Sequence, residues 1–295
     1  FTMEGGTLTA AGGEAAYSWG IGGNFAITGG TVTAIGQTQG FCNTPGLSGY
    51  TNPAVTVNTA ATAEGATAWN GTDALGGEDS TFKYVKIAPA TAYNVWVEGV
   101  QITDGNKDDV LDDGGTVKFA PETATLTLNN ADITGAPVPD NANRTAGIYS
   151  KIALTLELVG DNTVTGTSAS SSSDGVFVYE HSLIITGDGS LTATGGTSAS
   201  KESHGIFGNT VTVNSGTVIA RGGNASGYSI GIFGYIGVTI NGGTVTGIGG
   251  TSQDYESLGI STHASSDPIT VNGGTVTAIG SDRGFDFAPD LSGYT

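Results

Sequence analysis

The stretches VTVNSGTVIA (residues 211–220), VTINGGTVTG (238–247) and ITVNGGTVTA (269–278) share one pattern. Each alternates apolar and polar positions through two short runs that flank a glycine-containing turn. Such alternation marks a half-buried β-strand, because successive side chains point to opposite faces. The pattern also returns along the chain. Gly147-Ile148, Gly175-Val176, Gly205-Ile206, Gly231-Ile232 and Gly259-Ile260 recur at intervals of 28, 30, 26 and 28 residues, and Gly20-Ile21 belongs to the same series. Each dipeptide reads as a corner, followed by one alternating strand and then a second. Rungs of this length with short strands and Gly/Asn corners predict an all-β chain wound as a parallel solenoid. A β-sandwich is the alternative, but it does not need the same turn residue on every rung.

The columns of successive rungs support the solenoid. Val164, Leu191, Val218, Val245 and Val276 align as one aliphatic, inward column. Thr163, Ser190, Thr217, Thr244 and Thr275 flank it on one side, and Thr165, Thr192, Ile219, Thr246 and Thr277 on the other. The next inward position is small throughout (Gly166, Ala193, Ala220, Gly247, Ala278), as a crowded corner requires. Asn214, Asn241 and Asn272 each precede a turn in which asparagine and glycine tolerate left-handed backbone. The loops at 167–174, 197–203, 224–229 and 251–257 are predicted to leave the solenoid on one side.

A larger period contains the smaller one. Residues 27–51 and 271–295 match at sixteen of 25 positions without a gap, at an offset of 244. The expected organisation is therefore a window on a tandem array. Residues 1–51 are the last rungs of one repeat, and 52–92 a short β connector. Residues 93–135 form a hairpin that caps the next repeat, turning at Pro121-Glu122, and 136–295 are its rungs and a terminal segment. The start FTMEGG lacks the features of a signal peptide, so any signal or anchor is expected outside this window.

Composition then narrows the function classes. The chain has 9 Lys+Arg against 27 Asp+Glu, a net charge of −18 and 50 glycines in 295 residues. That charge repels a phosphate backbone, so nucleic acid is excluded as a partner. Glycine, threonine and valine disfavour helices. The glycines lack the three-residue period of collagen, and the alternating 37% apolar content argues against disorder. No apolar run reaches the length of a membrane helix, so no membrane insertion is expected in this segment. Cys42 is the single cysteine and leaves the redox compartment undetermined.

The segment YNVWVEGVQITDGNKDDVLDDGGTVKFAPETATLTLNNADITG, preceded by WNGTDALGGEDSTFKYVKI, resembles repeats of large secreted surface proteins of Gram-positive gut bacteria. The rung LIITGDGSLTATGG resembles right-handed β-helix proteins described as carbohydrate-binding. The resemblance implies an extracellular, cell-surface repeat protein, polysaccharide-binding in one reading, with no catalytic motif in its pattern. With the periodicity, the expected fold is an all-β, right-handed parallel β-helix with a short β connector between tandem units.

Several residues carry candidate chemistry. Tyr149, Phe177, Phe207 and Phe233 follow the corner dipeptides. They alternate with the inward aliphatics, so they are expected to stack outward at about 4.8 Å per rung as a ligand or self-association stripe. Burial against the core, or cover by the serine-rich loops, is the competing expectation. Asp104, Asn106 and Asp108 place oxygen ligands at alternate positions, a pattern suited to weak Ca²⁺ binding. Asp109 and Gly115 stand where an EF-hand needs glycine and glutamate, so a solvated acidic turn competes and no other cofactor is expected. Glu180 with Asp174, or Asp254 with Glu256, are possible carboxylate neighbours for a glycosidase. Arg144, Arg221 and Arg283, like His181, His204 and His263, fall on different rungs and do not read as one site, so no enzyme is expected. The threonine columns suggest ice binding, but β-propensity already explains them. Trp19, Trp69 and Trp96 read as packing anchors. Asn70, Asn143 and Asn224 begin formal glycosylation triplets.

The leading functional expectation is an extracellular structural and adhesive repeat, a unit of a stalk or self-assembling fibre whose partner is another copy joined end to end. The alternative is a polysaccharide-binding module of an adhesin.

Overall fold

The computed structural model describes residues 1–50 and 53–294. Asn52, the first residue of the expected connector, lies outside the described residues, as do Thr51 and Thr295. The chain is all-β, with no helix among the described residues, and its parallel coils stack as a β-solenoid. It divides into two compact units, Phe1–Ala92 with Thr103–Gly105, and Tyr93–Ile102 with Asn106–Thr295.

The first unit holds two rungs and a cap. Thr2–Met3 pairs in parallel with Ala26–Ile27, Thr7–Ala11 with Thr31–Ile35, and Trp19–Ile21 with Gln39–Phe41. Ile27, Val32, Ala34 and Phe41 point inward and are fully buried. The chain then reverses direction. Tyr84–Pro89 lies antiparallel to Thr31–Ile35 on one side and to Pro53–Asn58 on the other. The expected connector is thus a small antiparallel sheet that closes this solenoid end, with Val85, Ile87 and Leu75 completing the core.

In the second unit each rung carries three strand segments. Ser173–Val178, Ser182–Gly187 and Ser190–Thr194 form one rung, and in the next two rungs the first pair fuse into Ser203–Val213 and Ser229–Ile240. Parallel pairing aligns Ile148, Val176, Ile206, Ile232 and Ile260 in one buried column, and Leu156, Ile185, Val213, Ile240 and Val271 in another. Each such residue contributes about 1.5–3 kcal/mol by leaving water. The loops stack as expected, with Ala169, Ser198, Ala225 and Ser252 bridged in parallel. The opening of the unit is antiparallel: Val117–Ala120 pairs with Thr125–Asn129 around Pro121-Glu122.

Two details differ from the sequence reading. The glycine dipeptides are not corners but lie inside the first strand of each rung. At Gly231 a Cβ would run into the backbone of Ile248, Gly259 and Ala220, so glycine marks where facing strands come closest rather than where the chain turns. The second concerns Val164, which pairs with Ala193, while Asn162 takes the position beside Leu191 in the inward column. Asn162 is buried there, and its side chain replaces lost water: Oδ1 accepts from the Ala131 N–H at 2.9 Å, and Nδ2 donates to the Val159 and Ser190 carbonyls at 3.1 and 3.0 Å.

Candidate functional site

The residue after each inward isoleucine or valine must point away from the aliphatic core, and parallel register stacks these residues directly. Tyr149, Phe177, Phe207 and Phe233 accordingly form one ladder outside the main core. Neighbouring ring centroids are 5.3, 5.1 and 5.2 Å apart, close to the strand spacing that sets them. The ladder is not open along its length. Trp96 stacks on Tyr149 at 5.3 Å, and Val138 and Ala146, from the hairpin Ala136–Val138 and Asn141–Ser150, cover the first two rings. Tyr149 and Phe177 are 5% and 4% exposed, whereas Phe207 and Phe233 remain half-buried. The expected outward stripe is therefore corrected to half its length, and its cover is a hairpin and a tryptophan rather than the serine loops.

On the next rung the position stacked over Phe233 is Ser261. A small side chain where a ring would continue the ladder leaves space, and a cleft of about 470 Å³ opens there. Phe207 and Phe233 line it, with Tyr228, Tyr235, His204 and His263 around them. The Tyr235 and His263 rings stack at 4.5 Å, and Tyr228 lies 4.9 Å from Tyr255. Glu202 and Asp286 add carboxylates at its wall, and Ser261 Oγ donates to Asp286 at 2.9 Å.

Beside the aromatic floor lies a buried charged group. Arg144 Nε donates to Asp174 Oδ2 at 2.7 Å, and His204 Nδ1 lies 2.7 Å from Asp174 Oδ1. A carboxylate only accepts, so Nδ1 carries the proton. Asp174 is fully buried. Burial alone pushes its carboxyl up, but the Arg144 charge and the His204 hydrogen bond outweigh it and hold the group below the ordinary carboxylate range. The Arg144 guanidinium sits 3.4 Å from the Phe177 centroid, a cation–π contact that anchors the charge against the ladder. His204 itself stacks on Phe233 at 5.5 Å.

Sequence reasoning separated these residues because they lie on different rungs, yet stacking is what joins them. Asp174 and His204 each immediately precede a glycine of the repeating dipeptide and pair in register. That shared position was the available signal. His263 also reaches the cleft, whereas His181 does not line it. Glu180 is exposed and is not among the partners of Asp174, so that carboxylate pairing is corrected. Glu256 pairs with Arg283.

The polar side chains of the acidic turn are bonded to protein groups within the turn and beside it. Asp104 Oδ2 accepts from the Thr91 N–H at 3.3 Å, Asn106 Nδ2 donates to the Gln101 carbonyl at 3.1 Å, and Asp108 pairs with Lys107 at 3.0 Å. Among the described residues, no group of three or more His, Cys, Asp or Glu side chains is placed to hold a metal ion. A second groove, of about 620 Å³, follows the turns around Gly160, Gly187 and Ser215 and has no aromatic lining. No helix among the described residues is long and apolar enough to cross a membrane.

A family model described as a Beta helix repeat matches residues 1–25, 26–49 and 269–290. No curated protein and no solved structure matches the chain. The matched stretches are the two rungs of the first unit and part of the last rung of the second, where the parallel coils described above are found. The chain is thus an all-β solenoid that carries β-helix repeats at residues 1–49 and 269–290.

Proposed function

We propose that this chain is a repeat of an extracellular surface protein, in which the solenoid serves as stalk and the aromatic cleft of the second unit binds polysaccharide. The observation that carries the reading is the interrupted ring ladder: Phe207 and Phe233 present half-exposed faces beside Tyr228, Tyr235 and His263. Sugar rings offer apolar C–H faces that stack on aromatics, while their hydroxyls need polar groups at the edge, which Glu202, Asp286 and His263 supply. The net charge of −18 favours a neutral glycan over a polyanion.

The site reads as a binding site rather than a catalytic one. The His204–Asp174 pair is buried, and Asp286 is engaged by Ser261 and Arg283. Neither Ca²⁺ nor another cofactor is part of this reading.

Titration calorimetry of the chain against a panel of neutral polysaccharides, with Ca²⁺ and with chelator, tests it. Phe207→Ala and Phe233→Ala are each expected to weaken binding about 10-fold, the loss of roughly one stacking contact, with Ca²⁺ making no difference. Absence of binding to every neutral glycan, or binding unchanged in the double variant, overturns the reading.

A further inference from the structure

The two copies of the segment that recurs at an offset of 244, residues 27–50 and 271–294, fold alike but differ in what covers them. Tyr50 donates its hydroxyl to the Gly30 carbonyl, and Tyr294, at the same place in the second copy, donates to Gly274 at 2.6 Å. The Ile27 N–H donates to Gly46 at 2.8 Å, and the Val271 N–H to Asp290 at 2.9 Å. In both copies the strand TVTAI packs in parallel on the preceding rung, as Thr31–Ile35 and as Thr275–Ile279. With backbone and side-chain anchors repeated, the first copy is a template for the second.

Burial breaks the symmetry. Val32, Ala34 and Phe41 are fully buried, whereas Val276, Ala278 and Phe285 are only partly so. Ile279, Leu291 and Tyr294 are 51%, 56% and 51% exposed, while Ile35, Leu47 and Tyr50 are half-buried. The covering element in the first copy is the connector. Tyr84–Pro89 pairs antiparallel with Thr31–Ile35, setting Ile87 opposite Val32 and Val85 opposite Ala34. Its loop adds backbone bonds: the Gly36 and Gly40 N–H groups donate to Lys83 and Phe82 at 2.9 Å each, and the Gly77 N–H donates to Cys42 at 3.0 Å. Gln39 Nε2 donates to the Ser80 carbonyl at 2.9 Å, and Arg283, its counterpart, is also a donor. Among the described residues of the second unit, Thr275–Ile279 is an edge strand of its sheet with no strand paired on one side, and Ile279 is exposed beside the partly buried Val276 and Ala278. Such an edge templates further pairing.

We propose that the Thr275–Ile279 edge is a docking site for a second copy of the connector segment, residues 53–89, which adds its Tyr-Val-Lys-Ile strand antiparallel with Ile87 opposite Val276 and Val85 opposite Ala278. The contact continues the solenoid end to end and is independent of the glycan reading.

The full chain, extended after Thr295 by a second copy of residues 52–92, tests it by hydrogen exchange. The Thr275–Ile279 amides are expected to exchange at least about 10-fold more slowly than in the unextended chain, matching those of Thr31–Ile35, which serve as the internal standard of folding. Ile87→Asp in the added segment, or Val276→Lys in the receiving strand, removes that protection while Thr31–Ile35 stays protected. Unchanged exchange in the extended chain overturns the proposal, as does equal protection from the Ile87→Asp extension. Protection that appears in the unextended chain, rises with its concentration and persists when Ile87→Asp is placed in the chain's own connector also overturns it, because another copy's edge is then the occupant.

Discussion

At the residue scale, the most consequential side chain is Asp174. It is fully buried and charged, and it holds Arg144 and His204 in place against the aromatic ladder. Removing one member of a buried charged group leaves the others uncompensated, at a cost of about 3–5 kcal/mol. Asp174→Asn is therefore expected to lower the urea midpoint of the second unit strongly at pH 7. The pH dependence has a definite sign. The folded carboxyl titrates below its ordinary value, so the unfolded chain binds more protons between the folded and ordinary values. The stabilisation is complete above the ordinary carboxylate range and is lost as pH falls through the folded value. The gap between wild type and Asp174→Asn should close on acidification, read from urea curves at neutral and acid pH. A gap that stays constant would show that Asp174 is not ionised in the folded chain.

At the scale of elements, a rung is governed by how near its strands approach. Gly231 lies where a Cβ would strike backbone of three neighbouring strands, and backbone cannot step aside as a flexible side chain can. Gly231→Ala is expected to destabilise the second unit by about 1–3 kcal/mol, the usual cost of overpacking, measurable by chemical denaturation. The same substitution at Gly242, whose nearest neighbour is a single Asn214 carbonyl, makes a milder comparison. The periodicity exposed these glycines at once, but their role was not legible. A repeated glycine fits a corner and a close approach equally well until the facing strand is known. The register of Val164 failed for a related reason: an asparagine took an aliphatic position, and its compensating bonds come from other rungs.

At the scale of the whole molecule, solenoid stability depends on what closes each end. The connector closes the first unit, with Ile87 and Val85 fully buried against Val32 and Ala34. Ile87→Asp places a carboxylate in that apolar contact, and burying a charge without a partner is expected to open the cap. Hydrogen exchange at Thr31–Ile35 should then rise toward the rate of the edge strand Thr275–Ile279, with the rungs around Ile206 and Ile232 unaffected. Slow exchange persisting at Thr31–Ile35 would mean that the parallel rungs hold that strand unaided. The candidate site belongs to this scale too. Phe207 and Phe233 were legible as a stripe, while the cover over Tyr149 and Phe177 was not, because Trp96, Val138 and Ala146 are brought in by pairings that no local pattern announces.

By itself the sequence determined the strand period, the solenoid class, the stacked loops and the turn at Pro121-Glu122. Alternation and glycine spacing act on neighbours along the chain and repeat with every rung. Tertiary structure alone decided the rest: which rings are covered, how Arg144, Asp174 and His204 meet, and which end of the stack is closed. Those outcomes depend on contacts between rungs about 25–30 residues apart, and on antiparallel elements that depart from the repeat. A periodic sequence specifies its own stacking many times over, but it names a ladder's interruption only once, at Ser261, where a missing ring becomes a cleft.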